Sequence, residues 1–290
     1  MFGLLERFVM GDSFWLSLNI NKYMDAKGFS AWIYSNGLPG NYYSADLYSF
    51  VGLIRRLVGF LTDPLLTGHF LAFCTLILLF TSVYGTRKRN NIAIVLFSVV
   101  ILLTLSKGAI LIIAVGFVYK LWRNNRAFAF LAGIFALGAL VFLIKGDFLS
   151  TVSTHVGGLT SSLSIDYVFG KGLGTSGNYA NLYGEGSATN GESYIGAIIG
   201  QMGLIGLIVF IYAIVQLLKR IRYIDKSIVS YLVFAYIVGV LIESFVSESA
   251  INYVGSGVAF IFFGILYAQQ SVHSELLSKS NYSVEMVTGK

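Results

Sequence analysis

Asn91–Trp122, NIAIVLFSVVILLTLSKGAILIIAVGFVYKLW, is the stretch on which the fold turns. It is too long for one ordinary membrane span of about 17–25 residues, and it carries Ser106-Lys107-Gly108 at its middle. It is therefore either one tilted helix or two short helices folded back. Flanking charge selects the second. Arg87-Lys88-Arg89 precedes the run and Arg123 with Arg126 follows it, and the positive-inside rule puts both clusters on the cytoplasmic face. Each arm then has only about 15 residues, roughly 23 Å, against about 30 Å of hydrocarbon. Lys107 is expected below the outer membrane surface, where an ammonium costs a few kcal/mol unless it faces protein or water. That predicts a polar cavity open to the outside; the alternative is a lysine snorkelling from a tight turn.

Working outward, apolar runs predict further spans at Leu65–Tyr84, Ala127–Ile144, Ser193–Leu218, Ile228–Val246 and Ile251–Ala268, seven in all. Composition requires this class, because the chain is 56% hydrophobic and 12% charged with a mean hydropathy of +0.75, and a soluble domain has about a quarter of its residues charged. The expected fold is an all-α polytopic membrane protein. Lys219-Arg220-Ile221-Arg222 falls on the cytoplasmic side under the same count. The net charge of +6 is thus topological, and no basic domain is left over for nucleic acid. The lone cysteine, Cys74, lies in an apolar run and excludes an intrachain disulfide.

The chain divides into an outer-face segment, 1–63, a transmembrane domain, 64–268, with a large outer loop at 145–192, and a polar cytoplasmic tail, 269–290. Met1–Met10 contains Glu6 and Arg7 and lacks a signal-peptide core, so nothing visible carries residues 1–63 across. The expectation is the C-terminal part of a longer protein with spans missing upstream, or a misassigned start.

Three stations carry chemistry. Arg56-Leu-Val-Gly59-Phe-Leu-Thr-Asp63-Pro64 sets cations and an Asp-Pro turn at a membrane face, with Asp63 placed to cap the next helix or to orient Arg56. Ser106-Lys107-Gly108 interrupts the long run. The outer loop holds Thr154-His155 and then Val168-Phe-Gly170-Lys171-Gly172-Leu173-Gly174-Thr175, before Asn190-Gly-Glu192-Ser193-Tyr194 opens the next span. The Gly-Lys-Gly-Leu-Gly run either offers backbone N–H groups to an anion or serves turn geometry; it lacks the spacing of a nucleotide-binding phosphate loop. Gly196, Gly200, Gly203 and Gly206 suit close helix packing. Trp15, Trp32, Tyr34, Tyr42, Tyr43 and Tyr48 suggest an interfacial aromatic belt, or a surface for stacking on sugars.

In this order and sidedness, over roughly residues 50–268, these stations resemble the O-antigen polymerase and O-antigen ligase superfamily, membrane glycosyltransferases acting on undecaprenyl-diphosphate-linked sugars. Ligase-like members commonly show Ser-Arg-Gly where this chain has Ser106-Lys107-Gly108, and His-Asn where it has Glu192-Ser193. Both departures tilt the resemblance toward polymerase. It implies a polymerase joining lipid-linked repeats on the outer face of the bacterial cytoplasmic membrane, without metal or other cofactor. Expected partners are the lipid-linked oligosaccharide, membrane lipids, and chain-length regulator and flippase proteins.

Such a reaction needs cations to offset charge developing on the diphosphate and a base to take a sugar hydroxyl proton. Arg56 and Lys107 are the first choices for the diphosphate, with Lys171 and Arg55 also on the outer side; lipid-headgroup anchoring is the alternative for the arginine pair. His155 and Glu192 are the candidate bases. Glu243, near the outer end of an apolar span, is a further base candidate after these two; alternatively it or the nearby Glu248 stays at the interface or pairs with Lys107. His69 either lines the same cavity or makes a helix-packing hydrogen bond. His273 reads as solvated, and no histidine pair has metal-ligand spacing. A ligase, a transporter or flippase, and a nonenzymatic scaffold remain as competing readings.

Overall fold

A computed structural model describes residues 2–26, 33, 36–44, 52–81, 85–124, 157–163, 168–177, 193–223, 228–251, 255–265 and 267–268. His155, Glu192, the expected span Ala127–Ile144 and the tail 269–290 lie outside the described residues.

The described residues before 63 build a small lobe. Helix α1 (Phe2–Leu5) runs through a π-helical turn, Glu6–Met10, into α2 (Gly11–Ser17), and α3 (Ile20–Ala26) follows. Two short strands, β1 (Tyr43–Ser44) and β2 (Ile54–Arg55), pair antiparallel with Tyr43 opposite Arg55. Trp15, Ile20, Met24, Leu38, Tyr42 and Val58 pack together as the lobe's core. Trp15 and Tyr42 are therefore neither an interfacial belt nor a sugar platform. Trp15 is 2% exposed and Tyr42 is fully buried, because an aromatic ring contributes most by filling a core.

Helix α4 (Pro64–Phe80) starts where the sequence places it. Asp63 Oδ1 accepts from the Leu65 and Leu66 N–H groups at 2.7 and 3.2 Å, and Pro64 occupies the first turn, where its missing N–H costs nothing. Helix α5 (Arg87–Thr104) ends at Leu105 in the left-handed conformation, and α6 (Lys107–Asn124) begins after Ser106. The two run in opposite directions. Asn90 on α5 donates to Leu78 O and Thr81 O at the far end of α4, while Thr104 and Ser106 lie against Gly68 near its start. On the return, Gly116 of α6 meets Leu76, and Lys120 Nζ donates to Leu79 O. The long run thus folds back as flanking charge predicts, but α5 and α6 pack on α4 rather than on each other. Gly68 makes this possible: a Cβ there would lie 2.6 Å from Ser106 Cβ.

Helix α7 (Tyr194–Tyr223) is followed by α8 (Ile228–Ser244), a 3₁₀ turn (Glu248–Ile251) and α9 (257–265). Helix α8 runs antiparallel to α4 and α6. Glu243 reaches His69 at one end, Gly239 abuts Ile112, and the Tyr231 and Tyr119 rings meet at the other end. Helix α9 starts beside His69 and brings Phe263 onto Phe73 and Tyr236. Apolar residues from α4, α5, α6, the end of α7, α8 and α9 form one core.

Helix α7 covers the expected span Ser193–Leu218 but is not continuous across it. Gly203 has φ 68° and ψ −165°, and the chain turns back on itself there. The Tyr194 and Phe210 rings are 5.9 Å apart, and the position of a Cβ on Gly206 is 3.4 Å from Ile198; residues 194 and 210 of a straight helix would be separated by roughly 24 Å. Among the described residues, Tyr194–Ile221 is the only helical stretch whose total length and composition would suffice to cross a bilayer, and the fold at Gly203 interrupts it. Helix α4 and Ser230–Ser244 are apolar but shorter.

Candidate active site at the helix break

The break between α5 and α6 gathers several predicted residues. A helix C-terminus leaves carbonyls without intrahelical partners, and here residues from outside the bundle supply the donors. Leu57 N donates to Leu103 O at 2.8 Å, Arg56 Nε to Thr104 O at 2.8 Å, and Arg56 Nη2 to Leu105 O at 3.0 Å. Arg7 Nη1 also reaches Leu103 O, at 3.2 Å. Arg56 itself is fixed by the lobe, through its N–H on Tyr42 O at 2.8 Å. The guanidinium therefore sits two residues from Lys107, which is exposed as the first residue of α6. Ser106 is buried and caps α6, its Oγ accepting from Ala109 N at 3.4 Å.

Behind Lys107 lies a pair that sequence reasoning did not join. His69 Nε2 is 2.7 and 2.8 Å from the two carboxylate oxygens of Glu243, and each residue is 1% exposed. Nδ1 lies 2.7 Å from Leu65 O and must donate to it, because a carbonyl only accepts. The Nε2–Glu243 bond then holds one proton, on either the imidazole or the carboxyl group. Glu243 does not pair with Lys107 or stay at the interface as expected; its carboxylate fills the space beside Gly108. Burial keeps this pair from touching a substrate, so it positions the break. The available signal was the placement of both residues near the same ends of their apolar runs, where one intramembrane ionisable group calls for another.

Arg55 departs from its expected role. Its Nη2 is 2.6 Å from Glu6 Oε1, its Nε is 3.0 Å from Asp12 Oδ1, and its guanidinium lies 5.1 Å from the Tyr42 ring centroid. Glu6 is fully buried and also accepts from Trp15 Nε1 at 2.6 Å. Two carboxylates thus neutralise Arg55 inside the lobe and leave it poorly suited to a diphosphate. Sequence reasoning missed Glu6 and Asp12; the signal was Glu6-Arg7 within an otherwise apolar decapeptide.

The glycine-rich loop, too, is engaged differently. Lys171 N donates to Gly200 O at 2.8 Å, Gly172 N to Gln201 O at 3.0 Å, and Leu204 N to Val168 O at 3.0 Å. Two of the N–H groups expected to face an anion therefore satisfy helix carbonyls at the Gly203 fold. Gly170 and Gly203 are needed here for backbone contact rather than helix packing: a Cβ on either would come within 2.6 Å of the other segment's backbone. Gly196 does support close approach, with its Cβ position 2.4 Å from Gly158 O.

The basic clusters Arg87–Arg89 and Arg123 lie at the end of the bundle opposite Arg56 and Lys107. The cations expected to face outward are thus separated along the helices from those expected to face the cytoplasm. Family models, curated proteins and solved structures give no match to this chain.

Proposed function

We propose that this chain is a multi-pass glycosyltransferase of the bacterial cytoplasmic membrane that polymerises undecaprenyl-diphosphate-linked oligosaccharide repeats at the outer face. One observation carries the reading: Arg56, held on the Thr104 and Leu105 carbonyls, and Lys107, the first residue of α6, belong to one helix break at the end of the bundle opposite the basic clusters. In the reaction, an acceptor sugar hydroxyl attacks the anomeric carbon of the donor. A new C–O bond forms, the old one breaks, and the lipid diphosphate leaves with the electron pair. Arg56 and Lys107 offset the charge on that leaving group. The proton passes to a base on the outer loop, His155 or Glu192, since His69 and Glu243 are sealed in the core.

The test is polysaccharide formation in a host that lacks its own polymerase and supplies the matching lipid-linked repeat. A ladder of lengths that disappears in Lys107→Ala and Arg56→Ala, at equal membrane abundance, is expected. Transfer of single repeats points instead to a ligase, and accumulation of single lipid-linked repeats with the wild-type chain refutes polymerisation. A transporter or flippase is the second reading, favoured by the two interruptions at Leu105 and Gly203, since transporters build sites from discontinuous helices. That reading expects substrate to cross the membrane without bond formation.

A further inference from the structure

The loop tip at residues 168–173 combines rigidity with exposed apolar surface. Phe169 is 80% exposed and Leu173 is 81% exposed, with the exposed Lys171 between them. A free loop would fold such side chains inward; this one is held by its three backbone hydrogen bonds to residues 200–204. Neither Gly170 nor Gly203 has room for a side chain, and both have positive φ, at 73° and 68°. Gly177 closes the far end of the segment against Glu248, and Gln201 Nε2 donates to Ser176 O at 2.7 Å. The tip also joins a larger apolar surface. Val168 bonds directly to Leu204, which begins an exposed strip continuing through Ile205, Ile208 and Val209.

We propose that Phe169 and Leu173 insert into the outer leaflet of an anionic bilayer, with the Lys171 ammonium at headgroup depth. The inference rests on the membrane reading above. Continuity with the Leu204–Val209 strip selects a lipid surface over a soluble partner: acyl chains that cover the strip extend onto the tip without a gap. Two apolar side chains flanking a lysine match the chemistry of an interface, where rings and aliphatic groups enter the acyl boundary and an ammonium stays with phosphate. The loop then holds Lys171 at the depth of a lipid-linked diphosphate, which explains why its own backbone N–H groups need not bind one.

The full chain carrying Cys74→Ser and one new cysteine, labelled with an environment-sensitive fluorophore, is reconstituted into vesicles of phosphatidylglycerol and phosphatidylcholine. Leu173→Cys probes the tip, Val209→Cys the strip and Thr175→Cys the base of the loop. Expected are a blue-shifted emission and strong quenching by lipids brominated on the acyl chains for Leu173 and Val209, with little quenching at Thr175. Weaker quenching at Leu173 in pure phosphatidylcholine supports the role of Lys171, and equal quenching there overturns it. Quenching at Val209 but not Leu173 overturns the insertion while the membrane reading stands. Absence of quenching at both overturns the two together.

Discussion

Gly108→Ala isolates the contact that holds the helix break closed. A Cβ at this position would lie 1.7 Å from Glu243 Oε1, 2.2 Å from its Cδ and 2.8 Å from Oε2. Ordinary contact begins at 3.4 Å, so the carboxylate must retreat by about 1.7 Å. An unrestrained glutamate would swing aside at little cost, but His69 Nε2 holds both oxygens at 2.7 and 2.8 Å inside a core where each residue is 1% exposed. Retreat breaks that bond and leaves buried groups without partners, which costs about 1–3 kcal/mol for neutral groups and about 3–5 kcal/mol for a charged pair. Helix propensity works in the opposite direction, favouring alanine over glycine by about 1 kcal/mol. For the charged pair the net expectation is a loss of about 2–4 kcal/mol, or roughly 4–16 °C in Tm for a chain of this size. Cys74 provides the assay: it is the only cysteine and is partly buried, so a thiol-reactive fluorophore reports unfolding in detergent. In a Glu243→Ala background the same substitution should be neutral or stabilising, because the obstructing carboxylate is gone. An unchanged or raised Tm in the wild-type background, or an equal loss in both backgrounds, would refute the reasoning.

Arg56→Ala should cost about 2 kcal/mol by leaving the Thr104 and Leu105 carbonyls without their guanidinium donors, and Arg56→Lys should recover only part, since one ammonium replaces a planar fork; Tm and polymer ladders measure the two consequences separately. Arg55→Ala should destabilise the N-terminal lobe by about 3–5 kcal/mol, because Glu6 is left as a buried carboxylate beside Trp15. Faster hydrogen exchange confined to residues 2–58 is the expected signature, and unchanged exchange contradicts it. Gly203→Ala combines a backbone conformation open essentially to glycine alone, costing about 1–3 kcal/mol, with a clash against Val168 O; proteolysis at 168–177 should accelerate while the α4–α6 packing stays protected. In the lobe, burial pushes the Tyr42 and Tyr43 hydroxyls above their ordinary value of 10.0, so the folded state retains protons that the unfolded chain releases. The lobe's stability should be intact below pH 10 and fall above it by up to about 1.4 kcal/mol per pH unit through Tyr42, while the partly exposed Tyr43 adds less because solvent screens its charge. Tyr42→Phe should flatten the fall, followed by tyrosinate absorbance and circular dichroism; an identical pH profile in this variant counts against the assignment.

Local chemistry made part of this protein readable from its residues alone. Asp63-Pro64 marks a helix start because the cap and the ring act on their immediate neighbours. The reversal at Ser106 follows from length and flanking charge, both properties of one contiguous stretch. Helical class follows from composition in the same way. What the sequence could not supply was partner choice. His69 and Glu243 are 174 positions apart, and only packing α8 against α4 makes them a pair. Arg55 and Arg56 are adjacent, yet one is neutralised by Glu6 and Asp12 while the other clasps the end of α5. That division depends on the side from which the lobe approaches the bundle. The glycines at 170 and 203 likewise look like any turn or packing glycine until two backbones meet there. Sequence fixes which groups are costly to bury or leave without a partner; tertiary structure decides which distant group meets that need, because the deciding contacts act over a few ångströms between segments remote in the chain.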